Sequence, residues 1–280
     1  MNEDKRLNKK VLFIIGAGHS GSTLLGMILG ANPKCFYSGE ANKIKFLGTQ
    51  NGEKENRYCK ICGSNCPIWS DFNLPENYDL YEYLSLKTSK SNIIDSTKKI
   101  SWINQRVDEV SKTSAKIYLI YLMRDGRAVV NSRIRKYPKM NVDQLISDWI
   151  DQINKTNELF ENFSGKKIKL RYEELATEPE RVIKSLCEFL KLSYNPKMLR
   201  YYEFEHHPLG GNTGTQSLVV KAQKKMIPNP HVELTKRNKY YYETHPLNIK
   251  LDLRWKKEMP ENALNLFQNM AGTLNNEFMW

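Results

Sequence analysis

Residues 11–30 of this chain, VLFIIGAGHSGSTLLGMILG, constrain its fold more than any other stretch. Five apolar, largely branched residues, Val11 to Ile15, predict a strand buried on both faces, as in a parallel sheet. Gly16, Gly18 and Gly21 follow, and then an apolar run of helical length. A strand, a glycine-rich turn and a helix bring successive backbone N–H groups and a helix N-terminus around an anion. Ser22 and Thr23 open that helix, where hydroxyls can cap orphan amides or donate to phosphate oxygens.

The spacing Gly16-x4-Gly21 is that of a nucleotide-binding P-loop, but Ser22 stands where the lysine is expected. P-loop NTPases use that lysine on the β- and γ-phosphates, so ordinary ATPase or GTPase chemistry is disfavoured. A single terminal phosphate can still be held by amides and hydroxyls. The next elements repeat the strand–turn–helix theme. Cys35-Phe36-Tyr37 is a short extended piece leading to Ser38-Gly39-Glu40, and Asn92 to Asp95 is a short strand ending in Ser96-Thr97-Lys98. Lys116 to Met123 is a strong strand ending at Arg124-Asp125-Gly126-Arg127, with a helix predicted over 128–135. An amphipathic helix is predicted over 142–163, and Ile168-Lys169-Leu170 reads as a third buried strand before Arg171-Tyr172-Glu173-Glu174. Helices are expected over 99–110, 179–190, 247–255 and 261–278, with a short one over 196–204. The alternation argues for an α/β fold with a mostly parallel central sheet and helices on both faces.

At 280 residues the chain is expected to form one α/β domain. A cysteine-containing insertion is placed at about 48–79 and an irregular acceptor-side region at about 205–242. A net charge of +12 suits anionic ligands, but the positives are spread along the whole chain, so nucleic acid is not the expected partner. Neither a signal sequence nor an 18-residue apolar run is visible, which points to a cytoplasmic protein with no membrane anchor.

The motifs resemble those of the sulfotransferases, enzymes that use 3′-phosphoadenosine 5′-phosphosulfate (PAPS) and release adenosine 3′,5′-bisphosphate. The loop is similar in carrying Ser20, Ser22 and Thr23, with His19 where many relatives have arginine or lysine. The resemblance extends in fragments over 11–30, 92–98, 117–133 and 168–175, and implies the P-loop-like sulfotransferase fold. It further implies that Gly18, His19, Ser20, Gly21, Ser22 and Thr23 grip the 5′-phosphosulfate. Arg124 and Ser132 would hold the 3′-phosphate, an arginine fork and a hydroxyl being apt for a phosphate monoester. Tyr172, in an Arg-Tyr-Glu-x-Leu element, would pack near the adenosine. Lys98, in an Asp-Ser-x-Lys element, would contact the transferred sulfuryl group or the bridging phosphate. His19 would donate to the leaving phosphate if protonated.

Gly39-Glu40 is similar to the Gly-Glu pair of the tyrosylprotein branch, which makes Glu40 the expected base, with His206 and His207 as competitors. The expected acceptor carries a hydroxyl, on an acidic molecule or a peptidyl tyrosine, and no catalytic metal is expected. Cys59-x2-Cys62-x3-Cys66 supplies ligands for a structural zinc with Cys35 or a histidine as the fourth, or one disulfide, or free thiols. Two other functions fit parts of the pattern. A nucleoside or small-molecule kinase would share the fold. A non-catalytic nucleotide- or RNA-binding protein would use basic, aromatic stretches such as Tyr240-Tyr241-Tyr242.

Overall fold

The computed structural model describes residues 6–51, 56–76, 78–224 and 231–280. The polar start at 1–5, residues 52–55 and 77 of the 48–79 segment, and residues 225–230 of the 205–242 region lie outside that description. Five strands, β1 (Lys10–Ile15), β2 (Cys35–Gly39), β3 (Asn92–Asp95), β4 (Lys116–Met123) and β5 (Lys166–Arg171), form a sheet in the order β2-β3-β1-β4-β5. Every pairing is parallel. Val11, Leu12, Phe13 and Ile14 are all fully buried. Successive side chains on a strand point to opposite faces, so the sheet is covered on both.

Helices α1 (Ser22–Gly30), α2 (Leu80–Thr88) and α3 (Ile100–Ser111) belong to the first half of the chain. After β4 come α4 (Gly126–Lys136), α5 (Val142–Asn162), α6 (Tyr172–Thr177) and α7 (Pro179–Leu190). The C-terminal part adds α8 (Thr213–Ala222), α9 (Lys236–Thr244), α10 (Trp255–Glu258) and α11 (Glu261–Asn275). The closing helix packs on α5 through Phe267 and Trp149, whose ring centroids are 5.4 Å apart.

Three local expectations are corrected. β5 is an edge strand, with no residue fully buried, and its KKIKLR sequence carries the lysines that blunt an open edge. The helix expected over 247–255 is extended and irregular up to Arg254, and only Trp255–Glu258 is helical. Its backbone is held by side chains instead: the Asp252 N–H donates to Tyr172 Oη (3.2 Å) and its carbonyl accepts from Arg124 (3.1 Å). Conversely, α2, α8 and α9 are helices in stretches with weak or no helical patterning. Side-chain caps compensate in the first two. Asp79 accepts from the N–H groups of Tyr81 and Glu82, and Asn212 from that of Thr215.

Because all five strands run the same way, their carboxyl ends lie on one edge of the sheet. β1 is flanked by β3 on one side and β4 on the other, the point at which the chain crosses from one half of the sheet to the other. Open α/β sheets bind ligands in the crevice outside such a switch point.

Candidate active site

A cavity of about 590 Å3 opens at that edge. Its lining draws Gly18, His19, Gly21, Ser22 and Thr23 from the loop after β1, Glu40 from the end of β2 and Lys98 from the end of β3. Arg124 and Ser132 come from the turn and helix after β4, and Tyr172 from the end of β5. The sequence-derived site residues are thus brought to one cavity, apart from Ser20, which lies beneath the loop with its buried hydroxyl unpartnered.

The loop is shaped for an anion. Gly21, at φ +93°, is the N-cap of α1 and offers no capping side chain, so the first amides of the helix keep their donors for the cavity. Glycine is required there, since a Cβ would stand 2.6 Å from the Tyr172 ring. The Gly18 N–H donates to Gln152 Oε1 (3.1 Å), an α5 residue that also accepts from Arg133. His19 sits in the left-handed region at φ 72°, an uncommon conformation for a side-chain-bearing residue.

Arg124 crosses from the end of β4 to this loop. Its Nη1 donates to the His19 carbonyl (2.8 Å), and the guanidinium carbon lies 4.2 Å from the centroid of the Tyr172 ring. Nη2 lies 3.4 Å from the Asp252 carboxylate, which is engaged more closely by Arg254 through two bonds of 2.8 Å. The buried Nε has no partner. Asp125 pairs instead with Arg127, which stacks over Trp255, so Arg127 supports the turn and leaves the cavity to Arg124. Ser132 Oγ is 3.2 Å from His19 Nδ1. Burial, together with Lys136, Arg133, Arg124 and Arg237, pushes the His19 pKa down to about 3, so the imidazole is neutral at pH 7.

Lys98 points back under the loop, donating to the carbonyls of Ile14 (2.8 Å) and Ser96 (2.9 Å). Two of its three N–H donors are thereby used. Burial lowers its pKa to about 8, against the opposing pull of Glu40 and Asp95. Asp95 ties the β2 and β3 ends together. It accepts from the N–H groups of Ala41 (3.2 Å) and Thr97 (2.8 Å), from Tyr81 Oη (2.9 Å) and from Trp102 Nε1 (3.0 Å).

The Glu40 carboxylate is about one third exposed (31 %), with Lys43 at 4.0 Å. Its backbone is fixed: the Glu40 N–H donates to the Leu209 carbonyl (2.8 Å), and the Leu209 N–H donates to Ser38 (2.9 Å). Gly39, at φ +81°, permits this approach, because a Cβ there would lie 2.2 Å from the Leu209 oxygen. The competing histidines go elsewhere. His206 Nε2 lies 2.8 Å from the Tyr201 carbonyl, and burial takes its pKa down to about 4. His207 sits among cysteines, and neither residue lines the cavity.

Sequence patterning missed Gln152, Asp252 and Arg254, and the helical form of α8 and α9, which line the cavity from the stretch read as irregular. Asp252 and Arg254 sit in the alternating Leu-Asp-Leu-Arg run at 251–254, a pattern of extended chain that was available to read. Lys98, Arg124, Arg133, Lys136, Arg237 and Arg254 face the cavity against Glu40, Asp148 and Asp252, so the lining is positive. With an uncapped helix start, it is equipped to bind a ligand carrying several negative charges.

Comparison with known proteins agrees with this geometry. The profile of the sulfotransferase family matches residues 12–196. Protein-tyrosine sulfotransferase 1 of Danio rerio is 24% identical, over 87% of this chain and 68% of its own. Among solved structures, the sulfotransferase domain from the curacin biosynthetic pathway superposes with a TM-score of 0.59 at 18% identity, over 95% of this chain and 97% of that one. A mouse sulfotransferase complexed with PAP gives a TM-score of 0.50 at 11% identity, over 99% and 94%. The glycine loop, the parallel sheet and the profile match spanning most of both agree, and the chain belongs to the sulfotransferase family.

Proposed function

We propose that this chain transfers a sulfuryl group from PAPS to an acceptor hydroxyl. The observation that carries the proposal is the convergence of the uncapped α1 N-terminus, Lys98, Arg124, Ser132, Tyr172 and Glu40 on one cavity. The donor supplies an activated sulfuryl group, whose bond to the phosphate oxygen breaks as the acceptor oxygen bonds to sulfur. The residues present fit such a donor. The uncapped first amides of α1 suit a phosphosulfate, and the unpartnered Arg124 Nε, with Ser132, suits the 3′-phosphate. The Tyr172 ring, against Gly21 and Arg124, offers a surface for the adenosine.

Glu40 is the proposed base. It takes the acceptor hydroxyl proton onto its carboxylate, while backbone pairing to Leu209 holds it at the rim of the cavity. Lys98 offers positive charge where negative charge grows on the leaving phosphate. Neutral His19, if Nδ1 accepts from Ser132, presents Nε2–H as a hydrogen-bond donor without a charge of its own. The positive lining favours an acidic acceptor, and the relationship to a protein-tyrosine sulfotransferase favours a peptidyl tyrosine. Incubation with sulfur-labelled PAPS and tyrosine peptides flanked by acidic residues tests this. Label on the tyrosine oxygen is expected, and no transfer to any hydroxyl acceptor would contradict it.

A further inference from the structure

Beside the cavity, the 56–69 segment folds over the turn that follows residue 205 and meets it through four potential metal ligands. Sγ of Cys59, Cys62 and Cys66 and a ring nitrogen of His207 lie within 4.8 Å of one another. Cys59 Sγ and Cys62 Sγ are 3.7 Å apart, and His207 Nδ1 is 3.0 Å from Cys62 Sγ and 3.4 Å from Cys66 Sγ. Zinc–sulfur bonds of about 2.3 Å and zinc–nitrogen bonds of about 2.0 Å, directed tetrahedrally, put neighbouring sulfurs about 3.8 Å apart and sulfur and nitrogen about 3.5 Å apart. The Cys59–Cys62 and Cys66–His207 separations match those edges, and the Cys62–His207 separation is shorter than its edge. They are far from the roughly 2.05 Å of a disulfide, and no disulfide joins any of these cysteines. Cys35, the other candidate for the fourth position, is a β2 residue outside the cluster.

The surroundings are also those of a metal site. His207 Nε2 pairs with Glu205 Oε1 at 2.9 Å, which turns Nδ1 toward the sulfurs in the manner of a carboxylate–histidine–metal relay. Trp69 Nε1 donates to the His207 carbonyl at 2.6 Å. The Gly63 N–H closes on the Cys59 carbonyl at 2.7 Å, forming the tight turn that aims Cys59 and Cys62 the same way. Cys59 and Cys66 are fully buried.

We propose that Cys59, Cys62, Cys66 and His207 bind one Zn2+ ion in a closed structural site. Three thiolates and an imidazole in a tetrahedron select zinc over hard cations, and four protein ligands leave no position for substrate. Its role is mechanical. His207 is two residues from Leu209, whose backbone holds Ser38 and Glu40, and Lys60, between two of the cysteines, donates to the Gly211 carbonyl (3.3 Å). The ion therefore fastens one wall of the cavity and the end of β2 to a fixed point. This inference stands on the four side chains and does not depend on the donor or acceptor assigned above.

The test uses the full chain, purified without chelator and without a histidine tag. Elemental analysis is expected to give one zinc per chain, released in step with titration of the thiols by a mercurial. Cobalt substitution is expected to give the visible bands of a tetrahedral, thiolate-bound ion, a readout that needs no variant. Cys62→Ser and His207→Ala should lose most of the zinc, and His207→Cys should keep it. Less than a tenth of an equivalent of zinc in the unaltered chain would overturn the proposal. So would iron in its place, or a full equivalent retained by the Cys59→Ser, Cys66→Ser double variant.

Discussion

The Arg124 guanidinium lies on the face of the Tyr172 ring, 4.2 Å from its centroid, so the ends of β4 and β5 form one wall of the cavity. Arg124 meanwhile grips the backbone of His19, yet keeps a buried Nε unpartnered. A phosphate at this wall gains charge-assisted bonds worth about 1.5–3 kcal/mol each. Arg124→Ala is therefore expected to weaken adenosine 3′,5′-bisphosphate by about 10- to 100-fold, and adenosine 5′-phosphate much less. Binding isotherms for both ligands check this, and equal losses would remove the 3′-phosphate from Arg124.

Glu40 is held by its backbone rather than its side chain. Glu40→Gln keeps the fold and the cavity shape but removes the proton acceptor. General-base loss of this kind typically costs about 10²–10⁴ in rate. Turnover should fall by that factor, with donor-product affinity unchanged within a few-fold. Steady-state rates beside a binding isotherm measure both, and full activity would move the base elsewhere.

Lys98 carries a pKa lowered to about 8 by burial. An anionic ligand binds the protonated form better, and binding in turn raises that pKa. Affinity for adenosine 3′,5′-bisphosphate should then be flat up to pH 7 and weaken as pH rises through 8, by up to about tenfold per unit. Lys98→Met should bind more weakly at pH 7 and lose this dependence. A titration at pH 7 and pH 9 for both proteins separates the outcomes, and an unchanged slope in the variant would contradict the assignment.

Gly39 allows the Leu209 carbonyl to approach where a Cβ would collide at 2.2 Å, and its φ is +81°. Gly39→Ala should cost about 1–3 kcal/mol of stability from backbone strain alone. It should also lower kcat more than donor affinity, because Glu40 is displaced while the α1 loop is not. Thermal unfolding and kinetics check the two parts.

The sheet and the gathering of its strand-end motifs at one cavity were legible because apolar strands end in polar motifs, and parallel strands must present those ends together. The helices within the 205–242 stretch were less so. α8 and α9 have little amphipathic pattern and are held by contacts such as Gln216 Nε2 to the Gly210 carbonyl (2.6 Å). The 247–255 stretch contains enough apolar residues to suggest a helix, but Asp252 is claimed by Tyr172 and Arg124, partners far off in the chain. The cysteine spacing marked a cluster, while its fourth member, His207, lies more than a hundred residues away and is identified only by the fold.

The central claim is that the cavity is built for a nucleotide with a 3′-phosphate. Calorimetric titration with adenosine 3′,5′-bisphosphate, run beside adenosine 5′-phosphate, ATP and GTP, tests it most directly. The account predicts tight binding of the bisphosphate that is lost when the 3′-phosphate is removed. Binding of ATP with no binding of the bisphosphate would contradict it.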